Sequence, residues 1–165
     1  MKPLLLFGIS IAFSFFAWGA VCRVFVWPRI RDLPVHEAAR RILPLHLFRF
    51  VGTAFLIPGV VGPELPIGFA SSAAYGDLAA MCLAWLALVL GGRPSSRIVL
   101  WVFNVWGTFD LLFAFYQGLF GVGIQPGSLG AAYFIPTVFV PLLLCTHVML
   151  FLLLLKSPSS FRSVT

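Results

Sequence analysis

The chain has 165 residues, of which 61% are hydrophobic and only 10% are charged, whereas an ordinary soluble domain is about 45–50% apolar and about 25% charged. Its charged side chains, 11 Lys and Arg against 5 Asp and Glu for a net charge of +6, are too few to cover a soluble domain of this size, whose surface needs roughly a quarter to a third of its residues charged. This composition excludes a cytosolic globular protein, a disordered chain and a disulfide-stapled secreted scaffold, and it leaves a multi-pass membrane protein.

A membrane-crossing helix needs about 20 mostly apolar residues, within a range of about 17–25. Five segments meet this, at about 3–27, 44–61, 69–90, 98–118 and 132–155. The first is far longer than the roughly 7–15 apolar residues of a signal peptide core and is read as a span. The stretch 28–43 (PRIRDLPVHEAARRIL) is the strongly polar one. Pro34 is placed to open a short helix there, with Asp32 near its N-cap and Glu37 and Arg41 four residues apart in the favourable order. Val35, Ala39 and Ile42 share one face, so the stretch reads either as an amphipathic helix lying on the membrane or as a plain basic connector. The connectors 62–68 and 91–97 are Gly/Pro/Ser turns, and 119–130 is a longer Gly-rich loop.

The Lys and Arg distribution sets the expected orientation. Arg29, Arg31, Arg40 and Arg41, then Arg93 and Arg97, then Lys156 and Arg162 all fall on one side of a five-span chain, with Lys2 opposite. The expected fold is therefore an all-α bundle of five transmembrane helices, N-terminus out and C-terminus in, forming one domain with a cytoplasmic connector at 28–43 and a cytoplasmic tail at 156–165. Trp27 and Trp101 sit near span ends, and Arg23 lies within about one turn of the inner end, from which it can snorkel. The expected partners are the bilayer itself, with anionic lipids at Arg29, Arg31, Arg40 and Arg41, and further copies of the chain or a larger membrane complex. Nothing suggests nucleic acid.

Charge at membrane depth costs about 2.5–3.5 kcal/mol or more per group, so each instance needs a partner or a cavity. Arg49, Asp77 and Asp110 are the charges inside spans two to four, joined by Asn104 and His147. Counting about 1.5 Å per residue from the Arg-rich end puts Arg49 at about 8 Å, Asn104 at about 9 Å, His147 at about 12 Å, and both aspartates at about 18–20 Å. On span three Ala70, Ala73, Asp77, Ala80, Ala84 and Ala87 form a small-residue stripe suited to close helix packing. On span four Asn104, Gly107, Asp110, Ala114 and Gly118 fall within an arc of about 120°. On span two His46, Arg49 and Thr53 share a face. The polar groups thus lie on packing faces. They read either as glue for a small bundle or as a substrate pocket or proton relay.

A haem would need axial ligands facing each other from two helices, and His46 and His147 differ in expected depth by nearly two turns. His36 belongs to the polar stretch. Cys22, Cys82 and Cys145 fall in apolar runs without metal-ligand spacing and read as packing residues. No Walker loop, GxSxG, HExxH or CxxC occurs. Asp77 and Asp110 lack the second Gly-Asp element expected of an intramembrane aspartyl protease. No catalytic residue, metal or cofactor is assigned.

From span two onward the chain resembles a family of small bacterial multi-pass membrane proteins of unknown function. The matching elements are Phe48-Arg49 with Gly52, Leu65-Pro66, Phe69-Ala70, Gly76-Asp77, Asn104, Gly107, Asp110-Leu111, Ile135-Pro136 and Pro141 to His147. The resemblance covers about two thirds of the chain, is weaker in the first span and the connector, and implies a shared polar core with no activity attached. The expected function is small-solute binding or proton or solute translocation by a protein of the bacterial cytoplasmic membrane, with Arg49, Asp77, Asn104, Asp110 and His147 as its polar core. The alternatives are an accessory subunit of a larger membrane complex and a haem-bearing redox subunit.

Overall fold

Prolines set the local form of this chain as much as its apolar runs do. The computed structural model describes residues 2–156. Helix α1 (Pro3–Ile30) begins on Pro3, whose fixed φ suits the first helical position and whose missing N–H would be unpaired there anyway. It widens to a π-helical turn at Cys22–Val26, immediately before Pro28, whose ring would otherwise press on the carbonyl of Val24. Helix α5 (Ile135–Lys156) repeats the device, with a π turn at Ile135–Phe139 just ahead of Pro141.

Helix α2 (Val35–Leu47) is capped by Pro34 without a side-chain bond. Asp32, expected near this cap, instead takes the Nε–H of Arg31 at 3.1 Å, and Arg41 donates to the carbonyl of Arg29 at 3.0 Å. The apolar face of α2 does not lie on a membrane surface. Ala38, Ala39, Ile42 and Leu43 are buried, packed with α5 and with helix α3 (Ile67–Leu90). Its amphipathicity divides bundle interior from rim. After Pro44 the helix does not stop but continues as a 3-10 segment, Phe48–Leu56.

That segment changes which residues face inward. A 3-10 helix has three residues per turn, so positions three apart eclipse. Arg49, Gly52 and Phe55 form such a line, and they are the buried residues of the segment. An α-helical period would pair Arg49 with Thr53, as the sequence reading expected. Thr53 is only partly buried, and its hydroxyl donates to the backbone of Phe50. Together α2 and the 3-10 segment extend about 38 Å, from rises of about 1.5 and 2.0 Å per residue. They run beside α3 from Leu43 and Ala39, packed with Ala84 and Ala87, to Phe55, packed with Phe69.

Helix α4 (Pro94–Gly121) returns antiparallel to α3, with a π turn over Gln117–Gly121 at its end. The small-residue stripe of α3 is buried throughout, from Ala70 to Ala87, and lets α4 and the 3-10 segment approach it closely. The loop region holds a 3-10 stretch, Pro126–Tyr133, laced to the 57–62 turn by bonds from Gly62 N–H to the Ser128 carbonyl (2.8 Å) and from Ala131 N–H to the Val60 carbonyl (2.9 Å). Helices α1, α3, α4 and α5 are long and apolar enough to cross a membrane. The expected second span, 44–61, is not among them, because its residues are divided between the end of α2, the 3-10 segment and a turn. Among the described residues the chain is helical with no strand, and the tail beyond Lys156 lies outside them.

Candidate functional site in the bundle interior

Arg49 is the largest fully buried side chain, 1% exposed. A guanidinium presents several N–H groups in a fixed fork, so it can hold two carboxylates and a carbonyl at once. Its Nε lies 2.7 Å from Asp77 Oδ1, its Nη2 pairs with Asp110 Oδ2, and its Nη1 donates to the carbonyl of Gly107 at 3.3 Å. Three elements, the 3-10 segment, α3 and α4, are tied at one point.

The expected depths placed Arg49 about 10 Å short of the aspartates, and the structure brings all three to one level. The physical reason is the starting point. The second pass begins at Val35, not Pro44, so Arg49 is roughly 21 Å along it at about 1.5 Å per residue. The polar residues Glu37, Arg40 and Arg41 make 35–43 look like a connector, whereas it is the first part of a helix that already belongs to the bundle.

Three glycines make room for this triad. A methyl group at Gly52 would overlap the Asp77 carboxylate, and one at Gly76 would overlap that of Asp110. At Gly107 it would lie 2.6 Å from the His147 ring and 3.3 Å from Arg49 Nη1. Each glycine thus stands opposite a polar side chain from a neighbouring element. Gly52 and Gly76 are among the positions on which the sequence resemblance rests, and each stands against a carboxylate of the triad.

Asn104 and His147 form a second, separate unit. Asn104 Nδ2 donates to the backbone carbonyl of His147 at 3.2 Å, which turns Asn104 Oδ1 toward His147 Nδ1 at 2.7 Å. An amide oxygen only accepts, so the hydrogen sits on Nδ1 and leaves Nε2 of the neutral ring bare. His46 repeats the logic. Thr146 gives its hydroxyl hydrogen to the Leu143 carbonyl (2.8 Å) and therefore accepts from His46 Nε2–H (3.0 Å). His46 Nδ1 and His147 Nε2 are both buried without a hydrogen-bond partner among the described residues.

The two imidazole rings touch, with centroids 4.5 Å apart, and Phe103 packs on both. The expected depth mismatch between His46 and His147 is therefore absent, again because the second pass starts earlier. Haem does not fit here. Rings in direct contact, with Phe103 closing the group, leave no thickness for a macrocycle between them.

Above the triad, away from the Arg-rich end, lies a cavity of about 60 Å³. Asp77 and Asp110 form its floor, and every other lining side chain is apolar, including Phe55, Phe69, Ala114, Phe115 and Leu129. Of the five expected core residues, Arg49, Asp77 and Asp110 thus meet at one point, while Asn104 and His147 join His46 one layer toward the Arg-rich end.

No curated protein and no solved structure matches the chain. The model of one family, described as a domain of unknown function (DUF8737), matches residues 6–155, so the likeness takes in the first helix and the polar stretch as well as the later elements. The chain belongs to this DUF8737 family.

Proposed function

We propose that this is a membrane protein that crosses the bilayer five times, with α2 and its 3-10 continuation as the second crossing, and binds a small positively charged solute at the floor of the cavity. The supporting observation is the charge balance there. Two carboxylates line the cavity and, among the described residues, Arg49 is the one cation paired with them, so the ionised triad carries a formal charge of −1. In a poorly hydrated interior that surplus is costly, and a cation relieves it.

The walls and size narrow the class. A metal cation such as Ca²⁺ requires about six to eight oxygen ligands, and the lining side chains offer only those of the two aspartates. Phe55, Phe69 and Phe115 present rings to the same space, which suits an ammonium ion stabilised by aromatic faces. About 60 Å³ is several times the roughly 10–15 Å³ that one water requires on this measure, and methylammonium is of the right scale. Movement of that ion, or of a proton, past the buried imidazoles toward the Arg-rich end is the translocation form of the reading. The exposed arginines Arg29, Arg31, Arg40 and Arg41 are proposed contacts for anionic headgroups of the cytoplasmic membrane.

The test is equilibrium binding of radiolabelled methylammonium to protein in lipid nanodiscs, with acetamide as the neutral control. Saturable binding of methylammonium alone is expected. Asp110→Asn is expected to abolish it while Asp77 still pairs with Arg49, and Ala114→Leu, which fills the cavity, is expected to do the same. No saturable binding, or equal binding of acetamide, removes the proposal.

A further inference from the structure

Helix α1 packs mainly along α5, meets Tyr133 through Phe7 and α2 through Cys22 and Ile30, and is open over much of the rest of its length. Only 6% of its most apolar stretch is buried, against 56% for α5. Between the two helices runs a groove of about 360 Å³, walled by Phe15, Gly19, Leu144, Val148 and Leu152 and ending at Arg23 and Trp27. At Gly19 an added methyl group would meet nothing within 4 Å, so the groove is open at its middle.

Across a bilayer entered at Pro3, its end falls at headgroup depth. Arg23 is 20 residues beyond Pro3, roughly 30 Å along the helix axis, which matches the hydrocarbon thickness of a bilayer. Lys156, the last residue of α5, sets its Nζ 5.1 Å over the Trp27 ring, one turn from Arg23. Arg23 thus lines the end of the groove, and Lys156 stands on Trp27, which lines the same end. The acids near this end are engaged elsewhere, Asp32 with Arg31 and Glu37 beside His36, and among the described residues neither Arg23 nor Lys156 has a carboxylate within ion-pair distance.

We propose that this groove binds an anionic phospholipid, with an acyl chain lying against Gly19 and the phosphate held by Arg23 and Lys156. The groove is apolar along its length and cationic only at headgroup depth, which is the charge pattern of one lipid molecule. A second copy of the chain seated in parallel on the same face would instead bring two more cations to the same place. This site is distinct from the exposed cluster of Arg29, Arg31, Arg40 and Arg41.

Native mass spectrometry of the full chain released from mild detergent tests the proposal, with equal amounts of phosphatidylglycerol and phosphatidylcholine of identical acyl chains. The wild type is expected to retain one phosphatidylglycerol in preference to phosphatidylcholine. Arg23→Gln and Lys156→Gln are each expected to reduce that preference about fivefold, the factor that corresponds to one headgroup-level cation. Gly19→Leu, which fills open space and leaves the charges intact, is expected to remove the bound lipid. Circular dichroism confirms that each variant is folded. Equal retention of both lipids by the wild type overturns the proposal. A preference that survives in the Arg23→Gln/Lys156→Gln double variant assigns it to the other arginines and also overturns it. So does a dimer that Gly19→Leu dissociates with no lipid adduct in either form.

Discussion

Gly76 and Asp110 share one space between α3 and α4, and the absence of a side chain on the first is what admits the carboxylate of the second. Without a hydrophobic drive between helices in lipid, such close packing and its polar contacts hold a membrane bundle together. Gly76→Ala is therefore expected to force Asp110 off Arg49. Overpacking of this kind costs about 1–3 kcal/mol, and breaking a buried ion pair adds to it. Gly68→Ala, on the same helix, is the matched control because its methyl would meet nothing within 4 Å, and a change within about 0.5 kcal/mol is expected. Unfolding curves of the two variants in mixed micelles separate them. Equal stability would mean that the Gly76–Asp110 approach contributes nothing.

At the scale of the element, the segment Phe48–Leu56 decides which side chains meet the triad. A 3-10 run this long is uncommon and often marks strain or function. Here its period of three sends Arg49, Gly52 and Phe55 to α3 and leaves Thr53 aside. Gly52→Ala is expected to destabilise the protein by about 1–3 kcal/mol through contact with Asp77. Thr53→Ala removes only a hydroxyl bonded to its own backbone and is expected to change stability by no more than about 0.5 kcal/mol. Thermal unfolding of the purified variants checks this, and the reverse ranking would indicate an ordinary α-helical register. The period switch was not legible in the sequence. Hydrophobic periodicity distinguishes 3.6 from 2.0 well, but nine mostly apolar residues carry too little contrast to separate 3.6 from 3.0. The face of α3 was legible, because one carboxylate among alanines at helical spacing is a pattern that sequence alone displays. So was the gathering of Arg49 and both aspartates in one polar core; their common level was not, because the charges of 35–43 look like a connector and not like the start of a bundle helix.

For the whole molecule, composition points to lipid as the solvent, and four helices are long and apolar enough to cross it; the arginine distribution gives the connectors an expected side. What composition left open is whether the α2 and 3-10 pass crosses the membrane. Its first half is too polar to register as a span, yet its inner face is fully engaged by α3 and α5, and its length of about 38 Å exceeds the roughly 30 Å hydrocarbon layer. The two possibilities place the connectors differently. A crossing pass puts the 62–66 turn and the 122–125 loop on one side of the membrane, and Asp32 and the 91–93 turn on the other. A pass that returns to its own side puts Asp32 and Glu64 together. Single cysteines at Asp32, Glu64, Arg93 and Val122, all exposed, in a background lacking the three native cysteines, discriminate between them. With a membrane-impermeant maleimide on intact cells, Glu64→Cys and Val122→Cys are expected to react, and Asp32→Cys and Arg93→Cys only after permeabilisation. Reaction of Asp32→Cys and Glu64→Cys from the same side would leave four crossings. The Arg49–Asp77–Asp110 triad would then have to form between a segment that enters and leaves by one face and two helices that cross, and the charge argument for a bound cation would have to be rebuilt for a site open to water.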